Sequence, residues 1–209
     1  MKNKDKYFMK LAIKEAKKAN NEVFPNPKVG CLIVKDGKVI SRGFHRRYGG
    51  RHAEQVAIDN LSQEITNATM YVTLEPCAHD GKTSPCIDLI DPSIFNRVVI
   101  SSLDPNPSAV GGIKAISNKK ISVTRNVCNI KSKKINPRFF TYHEKKRPYV
   151  IIKAALTLDG FIAESNGMSK WITNENSRQS VHELRSSCDA ILIGNKTALI
   201  DNPSLDSHG

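Results

Sequence analysis

The sequence lacks the signatures of several whole classes of protein. No apolar run approaches the roughly 20 residues that span a bilayer, and no signal-peptide pattern opens the chain, so neither a membrane nor a secreted setting is expected. Cysteine is scarce and odd in number, five in 209 residues, which does not suit a disulfide framework and points to a reducing cytoplasm. Aromatic residues make up only 6% of the chain, and between Lys114 and Arg147 the lysines lie among Asn, Ile and Ser without a stacking pattern. A solvated basic face explains that stretch better than a groove for single-stranded nucleic acid. No GxGxxG or other phosphate-cradling loop occurs.

What is present fits a globular protein of one or two domains, with 39% hydrophobic and 25% charged residues. The net charge of +12 is unevenly placed. Met1 to Arg147 holds 27 Lys+Arg against 13 Asp+Glu, whereas Pro148 to Gly209 holds 5 against 7, and this change of sign predicts two domains, 1–147 and 148–209. Basic charge favours anionic partners, which suits a phosphorylated substrate and RNA alike.

The chemistry concentrates between Arg51 and Cys86. His52-Ala53-Glu54 is followed by Glu75-Pro76-Cys77, and Cys86 lies nine residues further on. Zinc favours imidazole nitrogen and thiolate sulfur, and a catalytic zinc keeps three protein ligands and leaves the fourth position to water. His52, Cys77 and Cys86 are the predicted ligands. Glu54, two residues after His52, comes near the metal without binding it, which suits a proton shuttle between water, a ring nitrogen and departing ammonia. Zinc deaminases carry H-x-E followed by P-C-x-x-C. The first half matches, but eight residues, Ala78 to Pro85, separate the cysteines instead of two. They must loop out, far enough to build part of a substrate pocket. Plainer readings stand beside this one: a structural zinc with His79 as fourth ligand, and buried packing for lone cysteines such as Cys31, Cys128 and Cys188.

Along the chain, Asp5 is expected to cap a helix running to about Ala19, with Phe8, Leu11, Ala12 and Ala16 on one face. Val29 to Val34 and Lys38 to Ser41 read as strands joined by an Asp36-Gly37 hairpin turn. A helix from near His52, a strand from Thr69 to Leu74, a helix opened by Pro85 and a strand from Arg97 to Ser101 follow. A helix over Ile113 to Ile116 and a strand over Ile121 to Thr124 complete a three-layer α/β domain ending near residue 145.

EPCAHDGKTSPC, with HAE before it, resembles the deaminase half of the bifunctional riboflavin-biosynthesis deaminase-reductases. The resemblance runs from the amino-terminal helix through Asn26-Pro27-Lys28-Val29-Gly30 and His45 to Asp104-Pro105-Asn106-Pro107. It implies a cytidine-deaminase-like domain around a central mixed sheet, a Zn2+ cofactor and a phosphoribosylated diaminopyrimidine substrate. It also implies substrate contacts from Asn26, His45 and Lys82; an amide can satisfy both donors and acceptors of a pyrimidine edge, and an ammonium can meet an anionic or carbonyl oxygen. Asp104 and Asn106 read equally well as substrate contacts and as turn residues. Arg51 stands where the family usually has proline, Gly111-Gly112 shortens a glycine run, and Asn136-Pro137-Arg138 replaces an acidic turn.

From Pro148 the chain resembles the start of the reductase half, whose fold is like dihydrofolate reductase. Strands are expected over Tyr149 to Leu156 and Ala190 to Ile193, with a turn at Leu158-Asp159-Gly160 and a helix from a Thr173 cap to Ser187. The resemblance implies that Leu156, Trp171, Thr197 and Asp201 touch NADPH and that Ser169, Arg185 and Leu205 touch substrate, although Trp171 reads equally as a core aromatic. The family's usual arginine after Leu205 is here His208. Sixty-two residues form only the truncated start of such an α/β domain, so NADPH is expected only if the domain is completed, by a separate reductase polypeptide or across a homo-oligomer. The chain alone is expected to deaminate without reducing. A tRNA-modifying zinc deaminase is the alternative drawn from the same chemistry and charge; the cysteine spacing and the reductase-like tail favour the pyrimidine over nucleic acid. The intact His52, Glu54, Cys77 and Cys86 set argues against a third reading, a non-catalytic scaffold.

Overall fold

The computed structural model describes residues 2–207, so His208 lies outside the described residues. The chain divides into two units, Met1–Tyr149 and Val150–Gly209.

The first unit is built on a sheet of five strands: β1 (Gly30–Lys35), β2 (Lys38–Phe44), β3 (Ala68–Leu74), β4 (Phe95–Ser102) and β5 (Ser122–Thr124). Their order is β2-β1-β3-β4-β5. β1 runs antiparallel to β2 and β3, while β3, β4 and β5 are parallel, so the sheet is mixed. At the first hairpin Asp36 and Gly37 both take positive φ, 49° and 76°, as the favoured two-residue turn requires.

Alternation along the strands divides the core between two faces. Leu32, Val34, Tyr71 and Val99 meet Phe8, Met9, Ala12 and Ile13 of α1 (Lys2–Ala16). Cys31, Ile33, Met70, Val72, Val98 and Ile100 pack on the opposite side with Ala53 and Ala57 of α2 (Ala53–Asp59). Small residues let α2 lie close to the sheet, and Gly43 completes the approach: a Cβ there would collide with the Ala53 carbonyl oxygen. The start of α2, which carries the candidate acid, is thereby seated against β2.

Several boundaries differ from the sequence reading. Asp5 is not a cap; α1 starts earlier, and Asp5 lies buried in its first turn. There its carboxylate accepts a two-pronged pair of bonds from Arg97 at 2.9 and 2.8 Å and a third from the Tyr71 hydroxyl at 2.9 Å. α1 also stops at Ala16, short of Ala19. Short helices α3 (Cys86–Leu89) and α4 (Gly112–Asn118) flank β4. Beyond β5 come two helices the sequence reading did not place, α5 (Asn129–Lys133) and α6 (Pro137–Lys145), the second with proline in its first turn and Phe140 buried.

The second unit holds α7 (Glu175–Ser186) and α8 (Asn195–Asp201). Asn174, not Thr173, caps α7, its side chain accepting the Ser177 N–H at 2.9 Å. The turn at Leu158-Asp159-Gly160 forms, with the Thr157 N–H donated to the Phe161 carbonyl at 2.9 Å. The strands expected at 149–156 and 190–193 do not form among the described residues. Both stretches have the apolar composition of strands, but a strand exists through its ladder, and neither finds a backbone partner there. No described residue from 150 to 207 is buried.

Candidate metal centre and substrate cavity

Three elements of the first unit deliver the candidate donors. β3 ends at Leu74, and Glu75-Pro76 lead from it to Cys77. The chain loops through residues 78–85 and returns with Cys86 as the first residue of α3, behind Pro85 at the cap position. His52 occupies the cap of α2 in extended backbone, without using its ring to cap the helix.

One donor atom from each of His52, Cys77 and Cys86 lies within 4.8 Å of the others. The His52 Nδ1 is 3.2 Å from the Cys86 sulfur and 3.6 Å from that of Cys77. The Cys86 N–H donates to the Cys77 sulfur at 3.3 Å. The Cys86 thiol and the His52 ring also point at that sulfur, which holds the Cys77 pKa well below the ordinary thiol value. The Cys86 thiol is pushed up, by its bond to Cys77 and by burial. His52 is raised, chiefly by the Cys77 sulfur. One imidazole nitrogen and two sulfurs at this separation are a donor set that would hold zinc, which would supply an acidified water. His79 is not in the group, which removes the fourth protein ligand that a structural site would want.

Glu54, on the first turn of α2, is buried; burial pushes its carboxyl pKa up, and the nearby His52 opposes that shift. It lines, with His52 and Cys77, a cavity of about 340 Å³. Asn26, His45, Lys82, Asp104 and Asn106 line the same cavity, so the deaminase-side residues expected from the sequence are brought together.

The His45 ring is fully specified by its partners. Nδ1 lies 3.0 Å from the Arg51 carbonyl oxygen, which can only accept, so Nδ1 carries the hydrogen. Nε2 is left to accept from the Asn26 amide at 3.2 Å. Burial lowers the His45 pKa and favours this neutral form. Arg51 therefore contributes a backbone carbonyl, while its side chain pairs with Asp59 at 2.7 Å. The Lys82 ammonium sits 4.1 Å above the Tyr48 ring. Asp104 accepts the Asn106 N–H at 2.8 Å, the expected turn, and burial pushes its pKa to about 6. Turn and cavity roles coexist at this residue.

Glu75, Asn136 and Phe139 are among the bracing or lining residues to which the sequence reading gave no role. The Glu75 carboxylate accepts the Asp104 N–H at 3.4 Å and the Ile113 N–H at 3.2 Å, tying the end of β3 to the Asp104 loop and to α4. An acid immediately before Pro76-Cys77 was the available signal. Asn136 accepts the Lys28 N–H at 2.8 Å and donates to the Lys28 carbonyl at 2.9 Å, clasping the turn that carries Asn26. Phe139 of α6 adds an aromatic wall. For Asn136 no local pattern existed, because its partner Lys28 lies 108 residues away.

Residues 2–102 match the family model described as the cytidine and deoxycytidylate deaminase zinc-binding region, and residues 148–209 match the RibD C-terminal domain. A deaminase/reductase from Thermotoga maritima, a crystal structure, is 46% identical with a TM-score of 0.89 over 99% of this chain and 60% of that one. Over nearly its whole length the chain is similar to bifunctional riboflavin-biosynthesis deaminase-reductases. Among curated RibD proteins, that of Aquifex aeolicus is 45% identical over 96% of this chain and 57% of its own length. That of Escherichia coli is 39% identical over 96% and 55%. The solved RibD of Acinetobacter baumannii has a TM-score of 0.90 at 39% identity, over 98% of this chain and 58% of that one. The chain thus spans little more than half the length of its RibD relatives. The first match is by its description a zinc-binding region, in keeping with the His52, Cys77, Cys86 donor set.

In the RibD C-terminal segment the expected contact residues are mostly exposed: Leu156, Ser169, Trp171, Thr197 and Asp201. Trp171 is no core aromatic, since it is 69% exposed and carries the Arg178 guanidinium 4.4 Å above its ring. Arg185 donates to the Asp206 carbonyl at 3.2 Å, and Leu205 is partly buried with φ +56°. Exposed side chains of this kind do not form an enclosed seat for a dinucleotide.

Proposed function

We propose that this chain catalyses the first of the two RibD reactions, hydrolytic deamination of 2,5-diamino-6-(5-phosphoribosylamino)pyrimidin-4-one to the corresponding aminouracil. The domain from 1 to 147 would do this chemistry, and 148–209 would be a reductase segment. The observation that carries the reading is the buried Glu54 carboxylate beside a His52, Cys77, Cys86 donor set at a cavity wall.

Zinc bound by those three residues would lower the pKa of a water in its open position. Glu54 is placed to take the proton of that water, pass it to the ring nitrogen next to the reacting carbon, and supply a proton to the leaving amine, so that water and the amino group become a carbonyl and ammonia. The Asn26 amide, fixed against His45, would orient the pyrimidine edge, and Lys82 would meet a phosphate or carbonyl oxygen. Five free cysteines support a cytoplasmic setting, and among the described residues no helix is long and apolar enough to cross a membrane.

The tRNA-modifying alternative is less supported, since the relatives at high coverage of this chain are RibD proteins. The direct test is ammonia release from the phosphoribosylated diaminopyrimidine by the zinc-loaded chain. Stoichiometric ammonia is the expected result; none, with zinc bound and the fold intact, overturns the reading.

A further inference from the structure

We propose that Thr83, in the loop between the two cysteines, is a positioning residue for the metal centre: its hydroxyl holds the His52 ring so that Nδ1 faces the two sulfurs. The inference rests on the zinc reading above and adds a residue to it. His52 is the cap residue of α2, its carbonyl accepting the Val56 N–H at 3.0 Å, but its ring makes no cap bond that would fix it. The His45 ring lies edge-on to it at 5.4 Å between centroids, a packing contact that limits tilt without selecting which nitrogen faces the metal.

The selection comes from the far side of the ring. The Thr83 Oγ1 is 3.3 Å from the His52 Nε2. With Nδ1 directed at Cys77 and Cys86, a neutral ring must carry its hydrogen on Nε2, and a hydroxyl oxygen is a competent acceptor for it. The Thr83 hydroxyl keeps its own hydrogen for a second partner, and Thr83 lines the substrate cavity. A backbone bond from the Gly81 N–H to the Thr83 carbonyl at 3.3 Å forms a turn that presents the residue. The loop enters from Cys77 and leaves to Cys86, so Thr83 is tethered on both sides to residues of the donor set itself. Outer partners of this kind fix the tautomer and direction of a metal-binding imidazole, and their removal characteristically weakens metal binding by about 10- to 100-fold.

The test compares the unaltered chain, Thr83→Val, which keeps the shape and loses the hydroxyl, and Thr83→Ser, which keeps the hydroxyl. Zinc transfer to a chromogenic chelator gives the release rate, and Co2+ substitution gives a ligand-field spectrum, neither of which depends on turnover. Thr83→Val is expected to release zinc at least about tenfold faster with a shifted cobalt spectrum, while Thr83→Ser stays within about twofold of the unaltered chain. Equal release rates and spectra for all three overturn the inference while leaving the deaminase reading standing. Equal losses in both variants overturn it too, because the hydroxyl would then not be the operative group. An unaltered chain that binds no zinc defeats both readings together.

Discussion

At the scale of single residues, Glu54 is the sharpest point of attack. Glu54→Gln keeps size and hydrogen bonding but removes the proton acceptor, so ammonia release is expected to fall at least about 100-fold. Zinc content, by metal analysis, should stay at that of the unaltered chain, because Glu54 is not among the three donors. Lys82 belongs to a different class. It is a cavity-lining cation parked over the Tyr48 ring, so Lys82→Ala is expected to raise KM about tenfold with kcat within a few-fold, as read from initial rates over a substrate series. The His52, Cys77, Cys86 cluster was legible in the sequence because a metal demands particular atoms at short spacings, and Glu54 came with it as the acid that lines the cavity. Tyr48 was not, since a lone tyrosine before a glycine pair has no periodic or chemical signature.

At the scale of elements, what was legible follows what is local. The Asp36-Gly37 hairpin, the strand ending at Leu74 and the proline-led return to Cys86 all depend on a few neighbouring residues, and each was found where expected. Asp5 shows the limit of that logic. An acid near a helix start reads as a cap, but its partner Arg97 lies on β4, out of reach of any local rule. The pair has its own pH signature. Arg97 lowers the folded-state pKa of Asp5 below the ordinary carboxylate value of 3.8, so the pair stabilises fully above that value and is lost as pH falls through the lowered one. Asp5→Asn should therefore melt lower than the unaltered chain at pH 7, with the gap closing below about pH 4; thermal melts across that range check it. The strands expected at 149–156 and 190–193 failed for a related reason, because apolar β-branched runs announce a willingness to pair and cannot supply the partner. Asn136, which is buried and bonds both backbone groups of Lys28, offers a further check. Asn136→Ala should cost about 1–3 kcal/mol in denaturant unfolding by leaving those groups unpaired, and should raise KM through the loosened Asn26 turn.

At the scale of the whole molecule, the unit that holds the cavity carries a net charge of +14, against −2 for the second unit. An anionic substrate is then drawn by a field that salt screens, so KM should climb several-fold between about 0.05 and 0.5 M salt, with kcat steadier, in steady-state assays at constant zinc. The Asn136 clasp has another consequence, one of order in time. Every metal donor and the candidate acid lie within the first 86 residues, yet the turn bearing Asn26 is held by a partner 108 residues downstream of Lys28. As the chain emerges from the ribosome, amino end first, its reactive groups precede the residue that steadies their substrate. Closing so long a loop is slow compared with forming a hairpin, so the pocket must be among the last parts of the unit to acquire its final shape. A nascent chain can then possess the means of capturing a metal well before it can discriminate among the molecules that metal would attack.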